Sequence, residues 1–333
     1  VVAFNILNIG RHKVAANAVG AAKMALDQSA NYANERKQFK VPIAQFGMIK
    51  EKLAEMATRI FAAESMIYRT GGLLNNMMHS LDRSGPDGGR VTAKGIEEYA
   101  LECSLEKVFA SEVEAFVVDE GVQIHGGYGF IAEYPIERLY RDARIRRIFE
   151  GTNEINRNLI PTTLLRRASK GGLPVLEAAA DLKSRIGAGI AVRESAEDLV
   201  QAAKDAFLYT LGAAYEKHGD GLLKQQEILG RLADMAIYAY GMESALLRAR
   251  KAASANGQNG AKHKGSLAMA FIYTAVEKLS LAAREILAAL AAGNELEERK
   301  ADLAKLVQHT PIDIIGLRRE IADHISEAGK YVA

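Results

Sequence analysis

The sequence is poor in several residue types, and each shortage closes off a class of protein. It has no tryptophan, one cysteine and six prolines in 333 residues. The lone Cys103 excludes an internal disulfide framework and a cysteine-rich metal site, and is compatible with a reducing compartment. The histidines at 12, 79, 125, 218, 263, 309 and 324 show no H-x₃-H pairing, so no metal site is expected. No serine sits in a G-x-S-x-G setting. Lys and Arg number 43 against 41 Asp and Glu, and a net charge of +2 gives no overall field for nucleic acid. No uninterrupted apolar run approaches the ~18 to 20 residues of a spanning helix, so any membrane contact is expected to be peripheral. The chain opens without Met and without a basic-then-apolar leader. "VVAFNILNIGRHKVAANAVG" reads as mid-protein, and upstream domains are expected to be missing.

What remains is 49% apolar and 25% charged, a globular balance, in a chain long enough for one large or two ordinary domains. Long Ala/Leu/Met/Glu/Lys stretches without sustained period-2 alternation predict an all-α fold. One helix is expected over 11–35. Pro42 is then read as opening a long helix to Leu81, about 58 Å at ~1.5 Å per residue. Its Phe46, Ile49, Leu53, Met56, Ile60, Ala63 and Ile67 step by three and four, the stripe of an antiparallel bundle. "DRSGPDGGR" breaks the chain. A helix is expected over 91–120, then a Gly-punctuated loop "GVQIHGGYGF", a short basic helix over 135–147, and a helix over 152–169 capped by Thr152 or Asn153. "SKGGLP" reads as a linker, dividing the chain into 1–169 and 170–333. Helices are expected over 194–217, 223–254, 263–292 and 311–330, with "ANGQNGAKHKG" as a loop.

Four constellations carry possible chemistry. Glu150, between Phe149 and Gly151, has an apolar wall on one side and backbone freedom on the other, as a placed base needs. An acid near a helix start is also favourable in itself, and local chemistry leans that way. The glycines of "QIHGGYGF" allow close backbone approach, but no strand precedes them and G-x-G-x-x-G is incomplete. Arg36 and Lys37 could bind phosphate or simply offset a helix C-terminus. Arg138, Arg141, Arg144, Arg146 and Arg147 read as a solvated, partly self-paired face, too poor in aromatics for nucleic acid.

The order of these signals is more specific than any one of them. "ANAVGAAKMALDQSANYANERKQFKVPIAQFGMIKEKLAEMA" followed by "GVQIHGGYGFIAEYPIERLYRDARIRRIFEGTNEINRNLI" resembles the C-terminal helical bundle domain of acyl-CoA dehydrogenases, over roughly residues 1–168. The opening "ILNIGR" and "QQEILGRLADMAIYAYGMESALLRARKA" (225–252) resemble the very-long-chain branch, which adds a second helical C-terminal region. By this resemblance an N-terminal helical domain and a middle β-domain are expected upstream of Val1.

The resemblance implies FAD-dependent α,β-dehydrogenation of long-chain acyl-CoA to trans-2-enoyl-CoA, a step of fatty acid β-oxidation, with electron-transfer flavoprotein as acceptor. By resemblance Glu150 is the α-proton base. A minority of the family carries the base just before the Arg of the first helix; here that position is Gly10, ahead of Arg11. Arg36, Lys37, Gln38, Gln45 and Phe46, with Gln123, Ile124, His125, Gly126 and Gly127, match flavin-nucleotide contacts that come partly from a neighbouring subunit. Thr152, Asn153 and Glu154 match the flavin-contacting helix start. Asn8, Arg11 and Gly151 match positions near the substrate. The resemblance further implies a homo-oligomer, a dimer in this branch, located in the cytoplasm of a bacterium or the mitochondrion of a eukaryote. Leu222, Leu223, Ile228 and Leu229 with Lys224 and Arg231 could dock on a membrane surface, although bundle core is their simpler use. Oxidase-type flavin chemistry on the same scaffold is the alternative. The 333 residues alone are expected to bind FAD poorly and to act as a dimerisation module.

Overall fold

The computed structural model describes residues 2–333, and the side chains of all of these except 2–6, 256, 258 and 259. The first residue of "ILNIGR", Ile6, is among those exceptions. The described residues form twelve α-helices and one two-stranded hairpin. Two compact units emerge, and neither is one continuous segment. The first comprises Val1–Asn153, Leu247–Phe271 and Asp313–Ala333; the second comprises Glu154–Leu246 and Ile272–Ile312. The 1–169 and 170–333 division follows the "SKGGLP" linker instead.

In the first unit, α1 (Val2–Glu35) packs along α4 (Ala100–His125). The packing face of α1 is mostly alanine: Ala15, Ala18, Ala22, Ala25 and Ala33 are buried, with Leu26 between them. Small side chains at three- and four-residue steps let two helices approach closely. Gly121 on α4 takes this furthest: a Cβ there would meet Ser29 Oγ at 3.0 Å and Ile136 Cδ1 at 2.6 Å. Ile136 belongs to α5 (Pro135–Arg146), which is thereby drawn against α4.

After α1 comes a hairpin, Lys37–Gln38 paired with Val41–Pro42. Its two-residue loop, Phe39 and Lys40, has positive φ at both positions (51° and 71°), as a primed turn requires. Pro42 therefore ends a strand instead of opening a helix. A short 3₁₀ turn intervenes, and α2 (Gly47–Ser80) spans about 51 Å. Leu53, Met56, Ile60, Ala63 and Ile67 are buried on it as the spacing predicts, while Phe46 and Ile49 are half-buried. The expected 91–120 helix is two, α3 (Gly88–Glu98) and α4, parted at Tyr99. "GVQIH" is the last turn of α4 and not a loop; a 3₁₀ turn, Gly126–Phe130, follows. The helix at the junction of the units, α6, runs Asn153–Ser169.

The second unit contains a helix that the linker reading passed over, α7 (Val175–Ala188), packed on α8 (Ala196–His218). Ser195 caps α8 in a reciprocal capping box with Asp198. The "ANGQNGAKHKG" segment is largely helical: α9 (Gln226–Gly260) continues through it with a kink at Gly257, and α10 (Lys262–Leu290) follows. Among the described residues α10 is the one helix long and apolar enough by composition to cross a membrane. Leu267, Phe271, Ile272, Val276, Leu279 and Ile286 on it are nonetheless buried in the protein. A second missed helix, α11 (Gly293–Val307), packs on α8, and α12 (Ile314–Ala328) returns to α2 in the first unit. Leu222, Ile228 and Leu229 are buried, the bundle-core reading of that cluster; Leu223 is 44% exposed.

A carboxylate–imidazole pair lies inside the first unit. His12 Nδ1 and Glu106 Oε1 are 2.5 Å apart, and Glu106 is fully buried. Burial pushes the Glu106 pKa up to about 7, with Glu102 adding to the rise and His12 and Thr70 opposing it. The bond to Glu106 raises the His12 pKa against the pull of burial. Both groups hold protons more tightly folded than unfolded. Their stabilisation is present below the unfolded values and lost as pH rises through the folded ones. The urea midpoint is therefore expected to fall as pH rises from about 4.5 through about 7, and Glu106→Gln to flatten that fall. An identical slope in the variant would refute the assignment.

Candidate active site

Glu150 lies in the turn between α5 and α6. Its φ is +57°, and Gly151 follows at +86°. A side chain in this left-handed region costs on the order of 1–2 kcal/mol, so the surroundings must hold the turn in place. The Asn153 N–H closes it by donating to the Arg147 carbonyl at 3.0 Å. Two buried cations then grip successive carbonyls. From α1, Arg11 Nε donates to the Glu150 oxygen at 3.3 Å, and its Nη1 donates to Asn8 Oδ1 at 2.9 Å. From α4, Lys107 Nζ donates to the Gly151 oxygen at 2.9 Å and to Asn153 Oδ1 at 2.8 Å. The Asn153 amide in turn donates to Ser111 Oγ at 3.1 Å and Glu112 Oε1 at 3.0 Å. Lys107 has no exposed surface. Burial lowers the Arg11 pKa, while the charges of Cys103 and Glu150 act in the opposite direction.

The turn aims the carboxylate at α1. Glu150 Oε2 is buried and accepts no hydrogen bond. It lies over Gly10, where an added Cβ would stand 2.7 Å from Glu150 Cδ and 2.9 Å from Oε1. Beside it is a cavity of about 450 Å³, whose lining includes Gly10, Lys13, Asn17, Ile145, Arg146 and Phe149. Arg146 is held by an ion pair with the fully buried Glu114. A carboxylate with an unused lone pair, lining a cavity of apolar and charged walls that also include Asp142, is arranged to take a proton from a bound molecule.

The other predicted cofactor residues gather at the far end of α1. Tyr32 stacks on His125 with ring centroids 4.3 Å apart, which joins the hairpin end of α1 to the end of α4. Arg36, Lys37, Gln38, Gln45, Gln123, Gly126 and Gly127 are exposed there; Phe46 is half-buried, and Ile124 and His125 are buried. Neither Gly126 nor Gly127 has anything within 4 Å of a Cβ position, so their backbone is open to a ligand. His125 Nδ1 lies 2.7 Å from the Gly121 carbonyl, and burial lowers its pKa.

Gly10 and Tyr32 are 22 residues apart on one continuous helix, hence about 33 Å apart. The structure thus brings the predicted residues into two groups, not one. Three of them are also committed inward. Asn8 and Arg11 are bonded to each other, and the Asn153 side chain is a buried hub below the turn. Thr152 is half-buried ahead of α6; Glu154 is exposed and opens the second unit. Lys107, Ser111, Glu112, Lys13 and Arg146 were not anticipated.

Two models described as acyl-CoA dehydrogenase, C-terminal domain, match residues 1–165 and 202–305, together well over half the chain. A Bacillus subtilis protein named probable acyl-CoA dehydrogenase is 46% identical over 99% of this chain and 57% of its own length. The mitochondrial very long-chain specific acyl-CoA dehydrogenase of Rattus norvegicus is 33% identical over 89% of this chain and 46% of its own. The crystal structure of a Bacillus anthracis acyl-CoA dehydrogenase complexed with FAD superposes with a TM-score of 0.96 at 48% identity, over 99% of this chain and 57% of that one. The chain thus spans about half the length of these relatives.

Glycine-to-alanine substitution in a helix interior ordinarily stabilises by about 0.8–1 kcal/mol. Gly20, on the same helix with nothing within 4 Å of its Cβ position, is expected to show that gain in urea unfolding. Gly10→Ala is expected to forfeit it, because the new methyl displaces the Glu150 carboxylate. Equal gains at both positions would contradict the packing described.

Proposed function

Since this chain belongs to the acyl-CoA dehydrogenase family and carries its C-terminal domains, we propose that it supplies the proton-abstracting half of an FAD-dependent enzyme that converts long-chain acyl-CoA thioesters to trans-2-enoyl-CoA. The observation that carries this reading is the Glu150 side chain, which lines the cavity beside Gly10 and whose buried Oε2 accepts no hydrogen bond. The α-hydrogen of a thioester is weakly acidic, and a base for it must be held close and shielded from water. Phe149 and Ile145 provide apolar wall, and Arg11 and Lys107 keep the turn in place.

Glu150 would take the proton from the α-carbon, and bound FAD would supply the acceptor for the β-carbon hydride, the two losses leaving the 2,3 double bond. Two features of this chain fit such a cofactor. The open backbone at Gly126 and Gly127, beside exposed Arg36 and Lys37, suits a pyrophosphate. Thr152, at the start of α6, lies two residues from the base and suits the flavin end. These two groups are about 33 Å apart along α1, farther than one flavin dinucleotide reaches. That distance supports a dimer in which each chain gives its base to one cofactor and its Arg36–Gln38 and Gln123–Gly127 groups to the other. Electron-transfer flavoprotein is the proposed acceptor. The preference for long acyl chains rests on the second helical region, which the rat enzyme shares.

In the full-length protein, Glu150→Gln is expected to retain FAD and to lower flavin reduction by acyl-CoA at least about 100-fold. Anaerobic bleaching of the flavin measures it. Reduction at near wild-type rate would remove Glu150 from the role.

A further inference from the structure

We infer that Lys107 is a positioning residue for proton abstraction: from the core of α4 it fixes the direction in which Glu150 points, without touching the substrate. The inference rests on the function proposed for Glu150 and adds a residue that the sequence motif does not contain.

Three observations converge on it. Lys107 is completely buried, an uncommon place for an ammonium group unless its bonds are well made. Two of those bonds, at 2.9 and 2.8 Å, go to the Gly151 carbonyl and to Asn153 Oδ1, one and three residues beyond the base. The backbone takes two successive positive φ values here, at Glu150 just before the carbonyl that Arg11 binds and at Gly151 between that carbonyl and the one Lys107 binds. Glycine at 151 adopts such a conformation freely, whereas glutamate at 150 does not.

The direction of the carboxylate follows from that backbone. With Glu150 at +57°, its side chain leaves the turn toward Gly10, where no Cβ blocks it. Were residue 150 to relax to ordinary negative φ, the Cα–Cβ bond would leave the turn in a different direction and the carboxylate would miss that opening. Arg11 alone does not prevent this relaxation. Its bond to the Glu150 carbonyl is the longer one, at 3.3 Å, and a turn held at one carbonyl can still pivot about that point. Lys107 holds the following carbonyl and, through Asn153, the first residue of α6. Ser111 and Glu112 steady Asn153 from the same face of α4.

A capping role alone predicts something different. If Lys107 only stabilised the start of α6, its loss would lower stability and FAD content, yet flavin that remained bound would be reduced at the normal rate. Positioning predicts slower reduction per bound flavin, with little change in substrate affinity, because the cavity walls formed by Lys13, Asn17 and Ile145 stay in place.

The test uses the full-length FAD-loaded enzyme, saturated long-chain acyl-CoA, and stopped-flow reduction of the flavin, with rates taken per bound flavin. For Lys107→Met the limiting rate is expected to fall about 100-fold while KM changes by less than about threefold, the signature of a misplaced catalytic group. Substrate deuterated at the α-carbon should show a larger isotope effect in the variant than in wild type, because proton abstraction becomes more fully rate-limiting. Lys107→Gln, which keeps a hydrogen-bond donor and serves where the methionine variant yields no flavoprotein, is expected to lie between the two. Wild-type limiting rates and isotope effects in the loaded variants would overturn the proposal, leaving Lys107 a capping residue. Wild-type enzyme that no acyl-CoA reduces would instead refute the function proposed for Glu150.

Discussion

Two buried cations, Arg11 on α1 and Lys107 on α4, bond to consecutive carbonyls of one strained turn, and the candidate site depends on that grip. A left-handed glutamate is costly by itself. It persists here because relaxing it would strand desolvated donors that have no water to turn to. The grip holds only while α1 and α4 stay at their present separation. That separation is set by the alanine face of α1, which begins one helical turn beyond Arg11, and by Gly121 on α4. Packing of small side chains along the bundle thereby becomes the aim of a carboxylate at its end.

The same geometry explains the glycine ahead of Arg11. Helix interiors disfavour glycine, and Gly10 has no turn or positive φ to justify it. Its justification is the Glu150 carboxylate, which fills the volume a Cβ would take. An α1 side chain at position 10 and a carboxylate from the α5–α6 turn compete for one space. A base can come from either place, but not from both at once. Arg36–Gln38 and Gln123–Gly127 belong to the opposite end of α1, so length along a single helix separates the chemistry of the base from the open, basic surface.

Much of this was legible in the sequence where a local rule matched the physics. The buried stripe of α2 follows from its three- and four-residue spacing, and α5 from a proline at its start and a basic end. The hairpin was hidden because Phe39 and Lys40 adopt primed-turn angles without the glycine or asparagine that announces them. The helix α7 was concealed by the glycines and proline on either side of it, and α11 by a charged sequence that starts at a glycine with positive φ. Tyr99 parts α3 from α4 with neither glycine nor proline. At the site, Glu150 was found by the order of motifs and not by its own surroundings. Lys107 was hidden because α4 mixes charged and apolar residues without a clean period and is buried on most sides, and periodicity cannot say which way a charge faces there. Asn153 was placed at the right helix start, but its side chain turns into the core.

The central claim is that the α4 lysine maintains the conformation of the Glu150 turn. The most direct test is the crystal structure of the full-length Lys107→Met enzyme beside that of the wild type. The account predicts that Glu150 leaves the left-handed region and its carboxylate withdraws from Gly10, with the α1–α4 packing unchanged. A variant whose turn still holds Glu150 at positive φ, with the carboxylate still over Gly10, would contradict it.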